Sequence, residues 1–410
     1  MQRYRETVKP QSMKIYLYTF VLTIVFYGCV EPFEPEVGVY DSTLVVDALL
    51  SNSDDPSRVT LTSSFPYSEN APYPVGGAKV VIEDDEGNAF QLLEIETGVF
   101  QTDPSVFKGQ VGKRYRLLIN TSDGNQFESD WELMKPAPPI EELRTEFEER
   151  IPDDPILKPV PGVQFYLSTK DTENNTRYYR WEFVETYQFL LPFPPLIGVN
   201  FGRNPGRGDD EAYYLSLSEW EGNRCWKTAY STQVLIATTE NLTQDIVKDM
   251  PLHFVDNKTA RLSTRYSLLV KQYAISKTYY EFLRKIKEIN QTSGSLFDPI
   301  PNEVFGNIRS SDGNDIPVLG YFSVAGVSEQ RTFVNRIDLP NVSIISGPKC
   351  YNDTISYNFR TLYNKVYNGR LEAYDYLYND FGGIIGFVIS EKACTRCATT
   401  GATNEKPDFW

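Results

Sequence analysis

The stretch Ala78–Ile95, AKVVIEDDEGNAFQLLEI, decides the fold. Apolar and polar residues alternate through AKVVIED, the run breaks at DEGN, and AFQLLEI takes it up again. That is the pattern of two antiparallel strands around a tight turn. The turn is acidic, but Glu83–Ala89 lacks the spaced oxygen ligands ending in a distant Glu that a calcium loop needs, so it reads as a hairpin. Short strand candidates recur on both sides: LVVDALL from Leu44, RVTLTSS from Arg58, YRLLIN from Tyr115 and QFESDWEL from Gln126. Their spacing predicts an immunoglobulin-like or transthyretin-like β-sandwich over residues 44–135. Within it, FKGQVGKRY has two glycines too close together for a phosphate loop and no Ser or Thr after Lys113, so it is a turn.

MKPAPPIEEL, Met134–Leu143, is a proline-rich break and the expected domain boundary. Residues 136–410 then read as a larger β-rich region, all-β or α+β. YYRWEFVETYQF, Tyr178–Phe189, alternates as a strand does, and LPFPPLIGVNFGRNPGRGDD, Leu191–Asp210, reads as a long Pro/Gly loop of the kind that carries binding. One helix stands out, SKTYYEFLRKIKEIN from Ser276 to Asn290. Ser276 is its cap, Tyr279, Phe282, Leu283, Ile286 and Ile289 share one face, and Glu281 precedes Lys285 by four.

Composition agrees with a mainly β protein. The 410 residues are 41% hydrophobic and 14% aromatic, enough for a core spanning more than one domain, and Tyr, Phe, Gly and Pro favour strands and turns. Acidic residues outnumber basic ones, 55 to 40, and no basic cluster tracks a phosphate backbone, so nucleic acid is not an expected partner. His253 is the single histidine, which excludes multi-histidine metal centres. It sits in MPLHFVD, a strand context in which a structural role outweighs that of a general base. There is no Gly-x-Ser-x-Gly elbow, no metal motif and no nucleotide loop. No catalytic, cofactor-binding or metal-binding residue is therefore assigned.

At the N-terminus a basic start, with Met1 or Met13 as the initiator, leads into the apolar run Ile15–Tyr27. That run is too short to span a bilayer comfortably, which takes about 20 residues. Residues 1–28 instead fit an export signal, and Gly28 directly before Cys29 is the arrangement in which a cysteine is acylated and becomes the first mature residue. Phe26 and Tyr27 are bulky for such a signal. Residues 29–43, opening with CVEPFEPE, follow as an acidic, proline-stiffened tether. With Cys29 assigned to lipid, Cys225, Cys350, Cys394 and Cys397 remain, which predicts two disulfides in an exported chain among three possible pairings. A four-cysteine zinc site is disfavoured, because only Cys394-x-x-Cys397 has the usual ligand spacing.

These segments also occur in a recognisable order. Cys-x-x-Pro-Phe-x-Pro-Glu, LVVDALL, VIEDDEGN, Gly-x-x-Gly-x-x-Tyr-x-Leu-x-Ile, YSLLVKQYAIS, YYEFLRKI, GSLFDPIPNEVFGNI, PVLGYFS and a terminal Cys-x-x-Cys precede Lys406-Pro407-Asp408-Phe409-Trp410. From Cys29 to Trp410 the chain resembles the Bacteroidota lipoproteins grouped as domain of unknown function 4249. The resemblance implies placement: an outer-membrane lipoprotein facing the cell exterior, often encoded beside a TonB-dependent transporter. It supplies no catalytic residues. The expectation is a non-enzymatic lipoprotein that binds a ligand or caps such a transporter in nutrient uptake. The alternatives are a hydrolase of glycan or peptide working through two carboxylates, and a structural or adhesion module.

Overall fold

The computed structural model describes residues 42–64, 71–152, 154, 156–203, 210–216, 223–292, 304–314, 316–367 and 370–410. Cys29, the expected signal segment and all but the last residues of the tether lie outside them. In chain order the strands are β1 (Leu44–Ser51), β2 (Arg58–Ser63), β3 (Tyr73–Pro74), β4 (Lys79–Asp84), β5 (Ala89–Gln91), β6 (Leu93–Glu96), β7 (Val99–Gln101), β8 (Arg114–Asn120), β9 (Gln126–Ser129), β10 (Glu132–Leu133), β11 (Ile140–Arg150) and β12 (Val160–Asp171). There follow β13 (Tyr178–Leu190), β14 (Ile197–Arg203), β15 (Asp210–Ser216), β16 (Arg224–Tyr230), β17 (Leu235–Thr238), β18 (Asp245–Asp256), β19 (Arg265–Ala274), β20 (Ile308–Ser310), β21 (Val318–Asn335), β22 (Asn352–Ser356), β23 (Leu371–Tyr378) and β24 (Ile384–Glu391). The long helix is α1, Lys277–Thr292.

The opening hairpin forms as expected, with Ile82 opposite Phe90 and Glu83 opposite Ala89. Gly87 supplies the positive φ of +87° that the turn requires. Asp84 closes the turn from inside, accepting hydrogen bonds from the Asn88 side chain and from the backbone N–H groups of Glu86 and Asn88, which holds its pKa below the usual carboxylate range.

The framework is a ten-stranded sheet, ordered β16-β13-β19-β21-β1-β2-β7-β6, with β17 beside β13 and β3 beside β2. Its key member is β21, 18 residues long. The first part of β21 runs parallel to β1, from Leu44 opposite Val318 to Ser51 opposite Ala325; the second is antiparallel to β19, from Ala274 opposite Gly326 to Arg265 opposite Asn335. On one sheet face Val46, Ala48, Leu50, Phe322 and Val324 pack onto Val80, Ile82, Leu117 and Ile119 of the sheet β20-β9-β8-β4-β5. Further along, Trp181, Phe183, Leu268, Val270 and Val334 pack onto Val163, Phe165, Leu167 and Val255 of the sheet β11-β12-β18. One strand thus serves two sandwiches.

Two expectations change here. The first region is a pair of packed sheets but is not closed on itself: β1 takes its parallel partner from beyond residue 310, and Ile308, Val318, Phe322 and Val324 complete its core. Met134–Leu143 is therefore no break in the framework, and Met134 is wholly buried in that core. A strand's own sequence carries no mark of a parallel partner so far away. Nor is Leu191–Asp210 one long loop, since IGVNFGR forms β14 and pairs with β15, Ile197 opposite Ser216 and Arg203 opposite Asp210.

On the opposite face of the large sheet α1 packs Tyr279 and Leu283 against Tyr178, Tyr273, Tyr321 and Ala325. Ser276 caps it, its Oγ accepting from the Tyr279 N–H at 3.2 Å. The C-terminal sheet, β22-β24-β23, buries Ile355, Ala373, Phe387 and Ile389 together with Ile197 of β14. Two disulfides are present, Cys225–Cys397 and Cys350–Cys394. The tail then folds back: Thr403 bridges Trp226, and Trp410 sets its ring edge-on to Trp226 and Phe333.

Candidate functional site

Strand alternation gives the large sheet one face for the sandwich cores and one for other uses. The second face holds α1 and, beside it, a groove of about 730 Å³ lined from β1, β2, β13, β19 and β21. That volume lies within the usual range for small-molecule sites, roughly 300–1,000 Å³. Its lining mixes charged and hydroxyl side chains with apolar ones, among them Leu49, Phe183, Val184 and Leu269.

Asp47 enters the groove from β1 as the single charged residue of LVVDALL. Its side chain is open to the groove, and among the described residues it accepts no hydrogen bond. Protein surrounds it elsewhere, and this burial pushes its pKa up against the pull of Arg180, with Glu182 adding to the rise. Arg180, on β13, is held by Glu182 and by the Tyr279 hydroxyl of α1. Burial works against the Arg180 charge, but Tyr279, Glu182 and Asp47 outweigh it and its pKa is raised. Tyr273 donates to Glu182 Oε2 at 3.2 Å. Lys271, nearly buried, pairs with Asp55 and lies 3.3 Å from Glu329.

Two guanidiniums are different. Arg58 neighbours Asp47 diagonally, since Asp47 is opposite Thr60 and Leu49 opposite Arg58, yet among the described residues it makes no ion pair. Arg331 donates through Nη1 to Ser267 Oγ at 2.8 Å, and its guanidinium lies 3.5 Å from the centre of the Phe409 ring. No carboxylate pairs with it among the described residues, and burial lowers its pKa against the charge of Glu329, two residues before it on β21. A ligand entering the groove therefore meets one unbonded carboxylate and two guanidiniums without acidic partners.

The residues singled out in the sequence fall elsewhere. His253 lies on β18 against Phe183, ring centres 4.2 Å apart, with Nε2 3.5 Å from Glu185. Glu185 also accepts from the Tyr266 hydroxyl at 2.7 Å and faces Arg261 at 3.5 Å. This cluster is outside the groove lining, so His253 is not brought to the site. The four cysteines tie the C-terminal segment to β16 and to itself. Of the terminal signature, Phe409 touches the site, through Arg331. Sequence reading missed Asp47, Arg180, Lys271 and Arg331, although a signal existed: each is a charged residue set in the alternation of a strong strand.

Among the described residues no His, Cys, Asp and Glu come together in threes to hold a metal ion, and no helix is long and apolar enough to cross a membrane.

Fold and groove define a mainly β protein of packed sheets with a charged cleft on the free face of its largest sheet, a class that holds binding proteins and enzymes alike. The chain belongs to the family described as Domain of unknown function (DUF4249), whose model matches residues 30–331. No curated protein matches it. Among solved structures it is similar to the collagen-binding domain of the Erysipelothrix rhusiopathiae surface protein RspB, at 10% identity over 72% of this chain and 95% of that one. The TM-score of 0.10 is too low to carry an argument.

Proposed function

We propose that this chain is a non-enzymatic, ligand-binding lipoprotein of the bacterial outer membrane, lipid-anchored through Cys29 and facing the cell exterior, and that it serves a TonB-dependent transporter in nutrient uptake. The observation that supports ligand binding is the groove with its unanswered charges, Asp47, Arg58 and Arg331. Charged groups left without protein partners in a concave site cost stability and suit a ligand that completes them. The Gly28-Cys29 junction and the acidic tether support the anchoring.

Gentle extraction of the tagged protein from membranes should recover a β-barrel transporter with it. Recovery of the lipoprotein alone, repeatedly, overturns the partnership. Cys29→Ser should abolish acylation and release or mislocalise the protein; an unchanged outer-membrane location overturns the anchor.

A hydrolase is the second reading, and one observation favours it. Asp47, whose pKa is raised by burial, shares the groove with Glu182, and two carboxyl groups facing one cleft are the equipment of glycoside hydrolysis. Against it, Glu182 is already engaged by Arg180 and Tyr273. Chain shortening of glycans by the wild type but not by Asp47→Asn would establish it.

A further inference from the structure

The groove's ligand is constrained by what its walls lack. Of the strands that form most of the walls, β13, β19, β1 and β2 are paired on both sides, and beside β21 beyond Ala325 lies the turn after β1, whose Asn52 Oδ1 accepts from the Val327 N–H, so little backbone edge is offered to an extended peptide. Recognition has to run through side chains. Those side chains are hydroxyls, carboxylates, guanidiniums and Lys271 set among apolar patches such as Leu49 and Leu269, with the ring of Tyr230, 74% exposed, at the rim. A chain of hydroxyl groups that both donate and accept, with flat apolar sugar faces, matches such a lining better than a peptide backbone does.

Charge narrows the class further. Glu182 pairs with Arg180, while Asp55 and Glu329 share the single charge of Lys271. The charges then balance locally in a protein of formal charge -15, and the two cations with no ion pair among the described residues are the guanidiniums of Arg58 and Arg331. A guanidinium fork matches a carboxylate in shape and charge. Arg331 is prepared for one, because Ser267 and the Phe409 ring fix its plane and leave further N–H groups without acceptors among the described residues. The nearby carboxylates oppose a dianionic phosphate more strongly than a singly charged carboxylate.

We propose that the groove binds a carboxylate-bearing oligosaccharide, with acid groups on Arg331 and Arg58 and a sugar hydroxyl donating to Asp47. This rests on the ligand-binding reading above and specifies it. Phe409 is a positioning residue: it orients Arg331 and touches no ligand.

The test uses the mature chain and a panel of immobilised glycans bearing uronic or sialic acids, each beside its carboxyl-reduced neutral counterpart, with a sulfated glycan and a tri-glutamate peptide as competing classes. The expected result is binding of at least one acidic glycan, lost on carboxyl reduction and weakened by added salt. Arg331→Ala and Arg58→Ala should each weaken it roughly ten- to a hundredfold. Arg331→Lys keeps the charge without the fork and should fall in between. Arg58 is exposed, so its replacement separates lost binding from lost folding, and an unchanged unfolding midpoint confirms that. Phe409→Ala should weaken binding less than Arg331→Ala, with Phe409→Tyr restoring it.

Binding of the neutral, sulfated or peptide probe instead, sensitive to the same arginine substitutions, overturns the acidic-sugar class while leaving the groove a binding site. Binding of none of the probes, or binding indifferent to both arginines, overturns the proposal; the transporter recovery described above then decides the broader reading separately.

Discussion

Asp47 and Glu185 lie in different parts of the protein and titrate in opposite senses. Burial raises the Asp47 pKa above its unfolded value, so the charged carboxylate works against folding once the pH has risen through the folded-state pKa. Asp47→Asn should therefore raise the urea midpoint at neutral pH and leave it unchanged at about pH 3, where aspartate is largely protonated in the unfolded chain. Burial would also raise Glu185, but His253, the Tyr266 hydroxyl and Arg261 more than reverse it and hold its pKa low. Its stabilisation is present above the unfolded pKa and lost as pH falls through the folded one. Glu185→Gln should accordingly lower stability at neutral pH, by about 1–3 kcal/mol for partners left poorly satisfied, and have little effect in acid. Paired urea titrations at the two pH values check both signs.

Strands and the helix were largely legible, because their periods come from local alternation. The hairpin at DEGN, the strand YYRWEFVETYQF and the Ser276-capped helix all form where the pattern puts them. Ser276→Ala should cost about 1 kcal/mol, read as a lower thermal midpoint. What the pattern did not carry was partnership. Gly320 is one example: at φ +102° it lets β21 lie so close to β1 that an added Cβ would sit 1.8 Å from the Val46 carbonyl oxygen. In PVLGYFS that glycine looks like any other strand glycine. Gly320→Ala should destabilise by about 3 kcal/mol or more, or prevent folding, as followed by expression and denaturant unfolding. The groove was hidden for the same reason, because its charged residues come from five strands and converge only when long-range pairing is complete.

The cysteines act between distant parts of the chain. Cys225 and Cys397 are 172 residues apart, and their bond ties the C-terminal segment to the edge strand β16, near the docked Phe409 and Trp410. Replacing both by serine should cost about 2–5 kcal/mol and loosen the tail first, seen as faster backbone hydrogen exchange after residue 397. Thiol titration of the unfolded protein should find Cys225, Cys350, Cys394 and Cys397 blocked without reductant and free with it. Long-range closure of this kind also sets the tempo of folding. The parallel partner of β1 is β21, so as the chain emerges from its N-terminus Leu44 has nothing to pair with on that side until Val318 has arrived. Until then the first sandwich keeps an open, apolar strand edge, the kind of surface that invites aggregation. The shared strand that makes one framework of two sandwiches therefore also imposes a delivery problem: the first sandwich cannot close until nearly four-fifths of the chain has been released to fold.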